Sequence, residues 1–460
     1  MDLSHSLRVR PHDVVAFVGA GGKTTTLFRL ADELAAQGKR VVATTTTRLG
    51  AEQTRLASRP GHPFSPLLIQ LTPGGAQGEV LARVRDALAA RRSLLIVGDD
   101  VGDTKVAGVP PAFVDELAAR DDLDAVIYEA DGARMLPFKA PAEHEPVLAA
   151  STTLLVPVVG ITAVGAPLDD AHVHRAEIVA RLAAARLGDP VTPTIIARVI
   201  AHPEGGLKSK PRDARAIALV NQVADETQLD AARALARQLL GYQEFDAAAL
   251  GAVRDADPIR ETQRRVAAIL LAAGGGTRMP GRIKQLLPWR GKTLIENAIG
   301  IAASSRVAET LVVLGAHADE IRAAIRGAPA RVVLNRDWET GHASSIRAGL
   351  GALGRETDAA IFVNVDQPFL TADVIDRLVQ RYYETAAPIV VPVYAGARGS
   401  PVLFDRVHFG ALANLQGEQG GRELLSQYRD QIAFVEFADA RLALDLDTPE
   451  EYARLVDLLR

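Results

Sequence analysis

The sequence predicts an α/β protein built from two three-layer α/β domains, residues 1–255 and 264–460. Three observations predict it. Valine-rich runs of strand length alternate with alanine- and leucine-rich helical stretches through both halves, the pattern of largely parallel sheets covered by helices. Each half opens alike, with an apolar strand, a glycine loop, a cation and a helix. Between them residues 252–263 are polar and carry Pro258, as an exposed boundary does. At 460 residues the chain is also too long for one ordinary core.

Composition narrows the class. Hydrophobic residues make up 48% and charged residues 23%, a folded rather than a disordered chain. The net charge of −4 supplies no global basic field for nucleic acid or an anionic membrane, so neither is expected as a partner. With no cysteine there are no disulfides, thiolate ligands or cysteine nucleophiles, which fits a reducing compartment. The start Met1-Asp-Leu-Ser-His-Ser-Leu7 lacks the charged and apolar regions of a secretory signal, and no apolar run has the length of a bilayer span. The expected location is cytoplasmic.

In the first half, strands are expected near 13–18, 40–44, 93–97, 124–129, 153–158, 194–197 and 216–220. In the second they are expected near 266–271, 309–314, 331–334, 359–365, 388–393 and 431–436. Residues 57–80, rich in Pro and Gly, read as an excursion. Beyond the shared opening, the halves show no repeat.

The first strand runs into Gly19-Ala-Gly21-Gly22-Lys23-Thr24-Thr25. Backbone amides and Lys23 at such a turn would cradle phosphates, with Thr24 on Mg²⁺. A full Walker A run needs glycine where Phe17 stands, and the compact loop is closer to that of Mur ligases, so the domain reads as P-loop-like. Thr44 to Thr47 end the second strand, either through β-propensity or to reach a metal or phosphate. Glu129 and Asp131 end another strand in a Walker-B-like manner and are candidate metal ligands. Asn221-Gln222 is a weak match to a base-reading motif. His172 and His174 alternate on an extended segment, as a surface pair or as metal ligands.

The second half opens Leu271-Ala272-Ala273-Gly274-Gly275-Gly276, followed by Arg278 and Lys284. Glycines let amides close on a phosphate chain, and the two cations add the charge that amides lack. Asp366, at the end of an apolar strand stopped by Pro368, is a candidate Mg²⁺ ligand. Asp445 and Asp447 point the same way on an extended segment, where one or both could complete a metal site, Asp447 being preferred, or the segment serves only to cap the next helix through Thr448. Ser344 or Ser345 would cap a helix after the strand near 331–334. His342 reads as a surface-loop histidine, His317 and Trp289 as surface or packing residues, and Lys292 as a turn end.

These motifs together give residues 266–460 a resemblance to the MobA/MocA family of molybdenum cofactor nucleotidyltransferases. It is carried by Leu271 to Gly274, Arg278-Met279, Lys284, Asp366-Gln-Pro368, Gly399-Ser-Pro-Val-Leu-Phe404, Gly420-Gly-Arg-Glu-Leu-Leu425 and Asp445-Leu-Asp-Thr-Pro449. The Leu-Ala-Ala-Gly spelling is similar to cytidylyl-transferring members; one departure is Pro280, which displaces the usual glycine after Arg-Met. The resemblance implies a Rossmann-like nucleotidyltransferase domain that transfers CMP from CTP to the molybdopterin cofactor and releases pyrophosphate. It further implies Mg²⁺ on Asp366 and Asp447, Lys284 at the α-phosphate, and Arg278 with the glycine amides on the β- and γ-phosphates.

Residues 11–250 resemble the YqeC family, associated with selenium-dependent molybdenum hydroxylases. That resemblance rests on Gly19 to Thr25, Thr44 to Thr47, Glu129 to Pro141, Pro157-Val-Val-Gly160 and Val173-His-Arg175. It implies an accessory unit taking an NTP (ATP or GTP) and a xanthine dehydrogenase-like molybdenum hydroxylase as client. The rival readings are transfer to another phosphate acceptor, or a non-catalytic cofactor carrier or insertion chaperone with an NTP switch. The base, the acceptor and the oligomeric state stay open at this point.

Overall fold

In the computed structural model, which describes residues 1–50, 65–68, 77–90, 92–101, 104–276, 279 and 281–457, the chain forms two compact units, Met1–Gln263 and Arg264–Arg460. Each is built on one large sheet. The strands of the first are β1 (Asp13–Gly19), β2 (Val41–Thr45), β3 (Ser65–Leu68), β4 (Ser93–Val97), β5 (Ala125–Glu129), β6 (Leu154–Gly160), β7 (Arg215–Asn221), β8 (Ala247–Gly251) and β9 (Ile259–Arg264). They lie in the order β9-β8-β7-β6-β1-β5-β2-β4-β3, and every pair from β8 to β3 is parallel.

The three layers follow from the period of two along a strand. On β1, Val14, Ala16 and Val18 enter one buried cluster with Phe113, Val114, Val179 and Leu235 from helices. Val15 and Phe17 enter another, with Leu27, Leu30 and Leu34 of the helix Lys23–Ala36. Both faces are therefore covered, and ligand chemistry is left to the carboxyl ends of the strands.

The second unit has β10 (Val266–Ala272), β11 (Glu309–Leu314), β12 (Arg331–Leu334), β13 (Ala359–Asn364), β14 (Ile389–Tyr394), β15 (Ala397–Arg398), β16 (Val402–Asp405) and β17 (Ile432–Phe437). The order is β12-β11-β10-β13-β16-β14-β15, with β17 beside β14. The sheet is mixed: β10 to β13 are parallel, but β16 runs antiparallel to both β13 and β14. Along β10, Ala268 and Leu270 face a cluster with Ile295, Ile299, Ile375 and Leu378, while Ile269 faces one with Ile346, Phe404 and Leu425.

Three expectations need correction. Residues 194–197 are not a strand but part of the helix Pro193–Ala201; Thr192 accepts a hydrogen bond from the Ile195 N–H and Pro193 opens the first turn, a start signal that outweighs the β-branched run. The polar segment 252–263 is not all linker, because β9 closes the edge of the first sheet with Glu261, Thr262 and Gln263 buried. Glu261 is paired there with Arg233 of the helix Glu226–Leu239. Within the expected excursion 57–80, residues 65–68 form β3 and Gln77 opens a helix to Ala90; the remainder lies outside the described residues. Among the described residues no helix is long and apolar enough to cross a membrane.

Candidate functional site

The second unit contains a cleft of about 550 Å³ at the carboxyl ends of β10 and β13, lined by Leu271, Ala273, Gly274 to Gly276, Lys284, Trp338, His342, Asp366 and Asp447 among others. These two strands are direct neighbours, with Leu271 beside Asn364, so the glycine loop and Asp366 leave adjacent strands. Ala272 turns its side chain into the core, and its carbonyl, with that of Gly274, accepts from the Gln285 side-chain amide at 3.1 and 2.9 Å. Gln285 thereby fixes the loop from below. Among the described residues no acceptor takes the N–H groups of Gly274, Gly275 or Gly276. A methyl group added at Gly274 would meet nothing within 4 Å.

Lys284 is the electrostatic centre of the cleft. Its Nζ donates to Asp366 Oδ2 at 2.7 Å and to Asp447 Oδ1 at 2.8 Å. Burial pulls the ammonium pKa down, but the two carboxylates outweigh that and hold it above the ordinary lysine value. Asp445 is pushed up to about 6 by burial and by the negative charges of Asp366 and Asp447, so it belongs to the same constellation. Thr448 accepts from the Glu451 N–H and caps the helix Pro449–Asp457 as expected, while Glu451 accepts from the Asp447 and Thr448 N–H groups. Arg278 lies outside the described residues.

The residues present fit a divalent cation. Among the described residues none donates a hydrogen bond to the buried Asp366 Oδ1, an oxygen suited to a positive partner. Among the described residues no three His, Cys, Asp or Glu side chains group into a metal cage. An ion such as Mg²⁺ takes one or two carboxylates and fills its remaining positions with phosphate oxygens and water, and Asp366 and Asp447 bring two carboxylates to one point, at Lys284 Nζ.

The far wall was read less well from sequence. The helix His342–Gly351 begins before both serines: Ser344 donates to the Gly341 carbonyl, and Ser344 and Ser345 both receive Asn335 Nδ2. Neither is the N-cap. His342 is in the cleft rather than on a surface loop. Burial lowers its pKa against the opposing pull of Glu418, Asp366 and Glu423, so the ring tends to stay neutral. Trp338, which sequence reasoning passed over, lies across Gly315 and Gly275; a methyl group at Gly315 would sit 2.5 Å from its Cβ and one at Gly275 3.3 Å from its Cζ3. It offers the cleft an aromatic face. Trp289 is buried edge-on against Phe369, and His317 is an exposed partner of Glu320, as packing and surface residues.

In the first unit Gly19, Gly21, Gly22, Lys23, Thr24, Glu129 and Asp131 do come together, through the neighbouring strands β1 and β5. Their chemistry differs from expectation. The loop N–H groups already have acceptors: Gly19 gives to Asp131 Oδ2 (3.0 Å), Ala20 to the Val158 carbonyl (2.8 Å) and Gly21 to the Leu136 carbonyl (3.1 Å). Asn221 does not read a base; it donates to the Gly21 carbonyl at 2.7 Å beneath the loop. Lys23 is buried, donating to the Gly19 carbonyl (2.6 Å) and lying 3.4 Å from Glu129 and 3.2 Å from Asp131. Burial depresses its pKa, and the Asp131 and Glu129 carboxylates more than reverse this. Thr24 Oγ1 donates to Glu129 Oε2 at 2.7 Å.

This network continues inward. Asp131 pairs with Lys139 (2.9 Å), Lys139 with Glu145 (2.7 Å), and Glu145 with Arg175 (2.7 Å). The three acids and three bases cancel. Thr44, Thr45 and Thr46 donate to the carbonyls of Ile96, Glu129 and Val147, stitching backbone segments together rather than facing a ligand. Thr25 stands in the first turn of the helix Lys23–Ala36, whose leading N–H groups have no intrahelical acceptors. His172 is exposed and bonded to Asp169, while His174 is lowered to about 4 by burial and by the Arg175, Lys139 and Arg134 cations.

Comparison with known proteins agrees with this division. Residues 15–177 match the family described as YqeC protein, and residues 268–432 match the MobA-like NTP transferase domain. The chain is 30% identical over 237 residues to the uncharacterized protein YqeC of Escherichia coli, covering 52% of this chain and 85% of that one. It is 32% identical to nicotine blue oxidoreductase of Paenarthrobacter nicotinovorans, covering 42% of this chain and 96% of that one. It is 26% identical to molybdenum cofactor cytidylyltransferase of Escherichia coli, covering 40% and 92% respectively.

Proposed function

Because the chain belongs to the YqeC family through its first half and carries a MobA-like NTP transferase domain in its second, we propose that it is a molybdenum cofactor cytidylyltransferase fused to an NTP-binding accessory unit. The observation that carries the reading is the Lys284–Asp366–Asp447 constellation in a cleft that the glycine loop Gly274 to Gly276 also lines. In the proposed reaction a terminal phosphate oxygen of the molybdopterin cofactor attacks the α-phosphorus of CTP. The new P–O bond forms as the bond to the β-bridging oxygen breaks, and pyrophosphate leaves with that electron pair.

No protein nucleophile is needed, so the residues act by position and charge. Gly274 to Gly276, with Arg278, hold the departing phosphates. Lys284 neutralises charge that develops at the α-phosphate. Asp366 and Asp447 would hold Mg²⁺, which supplies further neutralisation of the phosphate oxygens. Trp338 gives the planar base a stacking surface, and neutral His342 orients rather than deprotonates, since phosphates are already ionised. Asp366→Asn is expected to lower CTP turnover by roughly 10²–10³-fold with the circular dichroism unchanged. Full activity in that variant removes Asp366 from the mechanism.

For the first unit the reading is an ATP- or GTP-binding accessory that helps mature a molybdenum hydroxylase. Since Lys23 and the amides of Gly19 to Gly21 are already engaged, a nucleotide there would meet the first turn of the helix Lys23–Ala36. Calorimetric titration with ATP and GTP tests this, and absence of heat with both discards it. One observation favours a second reading: nicotine blue oxidoreductase is more similar to this chain than the cytidylyltransferase is. Conversion of nicotine blue that requires an added two-electron donor or acceptor, such as a nicotinamide nucleotide, and releases no pyrophosphate would replace nucleotidyl transfer with redox chemistry.

A further inference from the structure

We propose that Lys284 closes the Asp366–Asp447 pair to free divalent metal, so that metal enters this site only together with a nucleoside triphosphate. The inference rests on the transfer reading above for what the cleft binds. A single ammonium donates to both carboxylates, at 2.7 and 2.8 Å, and so occupies the position that a cation shared by the two would take. An ion such as Mg²⁺ holds its oxygen ligands at about 2.0–2.1 Å. It cannot share the same oxygens with an ammonium without strong like-charge repulsion, which falls off slowly in a partly desolvated cleft.

Metal alone must therefore displace Lys284 from both acids. The lysine side chain is only 14% exposed, so displacement exchanges two charge-assisted hydrogen bonds for incomplete solvation at the cleft wall. A triphosphate changes this balance. Its oxygens accept from the lysine as it leaves the carboxylates, and they complete the coordination shell that two acids alone leave unfilled. Lysine and metal then exchange partners instead of competing, and each ligand raises affinity for the other. Asp366 Oδ1, which receives no hydrogen bond from the described residues while Oδ2 holds Lys284, is where the incoming metal makes first contact.

Lys23 shows why the arrangement in the second unit can open. It also lies between two acids, but it is 3% exposed and further tied to the Gly19 carbonyl. Lys284 has a solvent-accessible cleft and partners that are themselves 28% and 31% exposed.

The test uses the full-length chain and Mn²⁺, whose free concentration is read by electron paramagnetic resonance. Wild type, Lys284→Gln and Asp366→Asn are compared with and without a non-hydrolysable CTP analogue. The expected result is that Lys284→Gln binds Mn²⁺ alone about tenfold more tightly than wild type. The analogue should tighten Mn²⁺ binding to wild type by a similar factor, an arm that needs no folded variant, and should do much less in Lys284→Gln. Equal affinity in wild type and Lys284→Gln, with binding lost in Asp366→Asn, overturns the inference but leaves the transfer site standing. Mn²⁺ binding that survives Asp366→Asn unchanged overturns the assignment of the site itself and the inference with it.

Discussion

The two glycine loops are written in nearly the same sequence grammar and end in opposite states. At Gly19 to Lys23 three loop N–H groups have acceptors within the protein, and the lysine is sealed between Glu129, Asp131 and a carbonyl. In the second unit Gly274 to Gly276 line a cleft of about 550 Å³, among the described residues their N–H groups have no acceptor, and Lys284 bridges two half-open acids at its wall. A glycine loop followed by a cation therefore specifies a backbone path, not a vacancy for phosphate. What decides availability is whether neighbouring strands supply acceptors for the same N–H groups.

The sharpest way to break this comparison is to remove each lysine. Lys23→Ala leaves Glu129 and Asp131 buried with one cation missing, a change expected to cost about 3–5 kcal/mol, measured by thermal or urea unfolding. Lys284→Ala is expected to cost within about 1 kcal/mol, because its acids are partly hydrated, while nucleotide turnover collapses. Similar stability losses in both would contradict the sealed-versus-open distinction.

Glycine substitutions give a smaller contrast. Gly21 has φ of +82°, and an added methyl group would lie 2.1 Å from the Gly160 nitrogen. Gly21→Ala is expected to destabilise by about 2–3 kcal/mol. Gly274→Ala has ordinary φ and open space, so its stability should change by less than about 0.5 kcal/mol, with any defect confined to nucleotide affinity. A destabilised Gly274→Ala would show that the second loop is packed after all.

The mildest probe is acid. Burial raises the Glu145 carboxyl pKa, but Arg175 and Lys139 overcome this and depress it to about 2, below its ordinary 4.5. A depressed folded value means that its contribution is complete above pH 4.5 and is lost as pH falls through about 2. At pH 3.5 the first unit should already have lost part of this stability, because the unfolded carboxyl takes up its proton near 4.5, while carbon-13 NMR of the folded carboxyl should show no midpoint above pH 3. A midpoint near 4.5 would mean that the internal charge chain does not hold.

Much of the fold was legible because buried parallel strands are written as apolar runs ending in glycine or acid. Asp366, Lys284 and Asp447 were legible for the same reason: each follows a strand or cap whose position is set locally. What stayed hidden depended on contacts far along the chain. Gln285 looks like any polar residue until Ala272 and Gly274 turn their carbonyls toward it. Trp338 is one loop aromatic among several until Gly315 and Gly275 lie under it. The threonines of β2 read equally as ligands or as strand formers, and only the neighbouring carbonyls decide. Strand β9 was missed because Arg-Glu-Thr-Gln carries no apolar signal; the buried Glu261 is met by Arg233 and Gln263.

The most direct test of the account is to incubate the full-length chain with molybdenum cofactor and each of the four NTPs in turn, and to measure pyrophosphate release. The account predicts release that depends on the cofactor, is fastest with CTP and falls by roughly 10²–10³-fold in Asp366→Asn. Equal rates with all four NTPs would contradict the cytidylyl assignment, and no release with any of them would contradict nucleotidyl transfer itself.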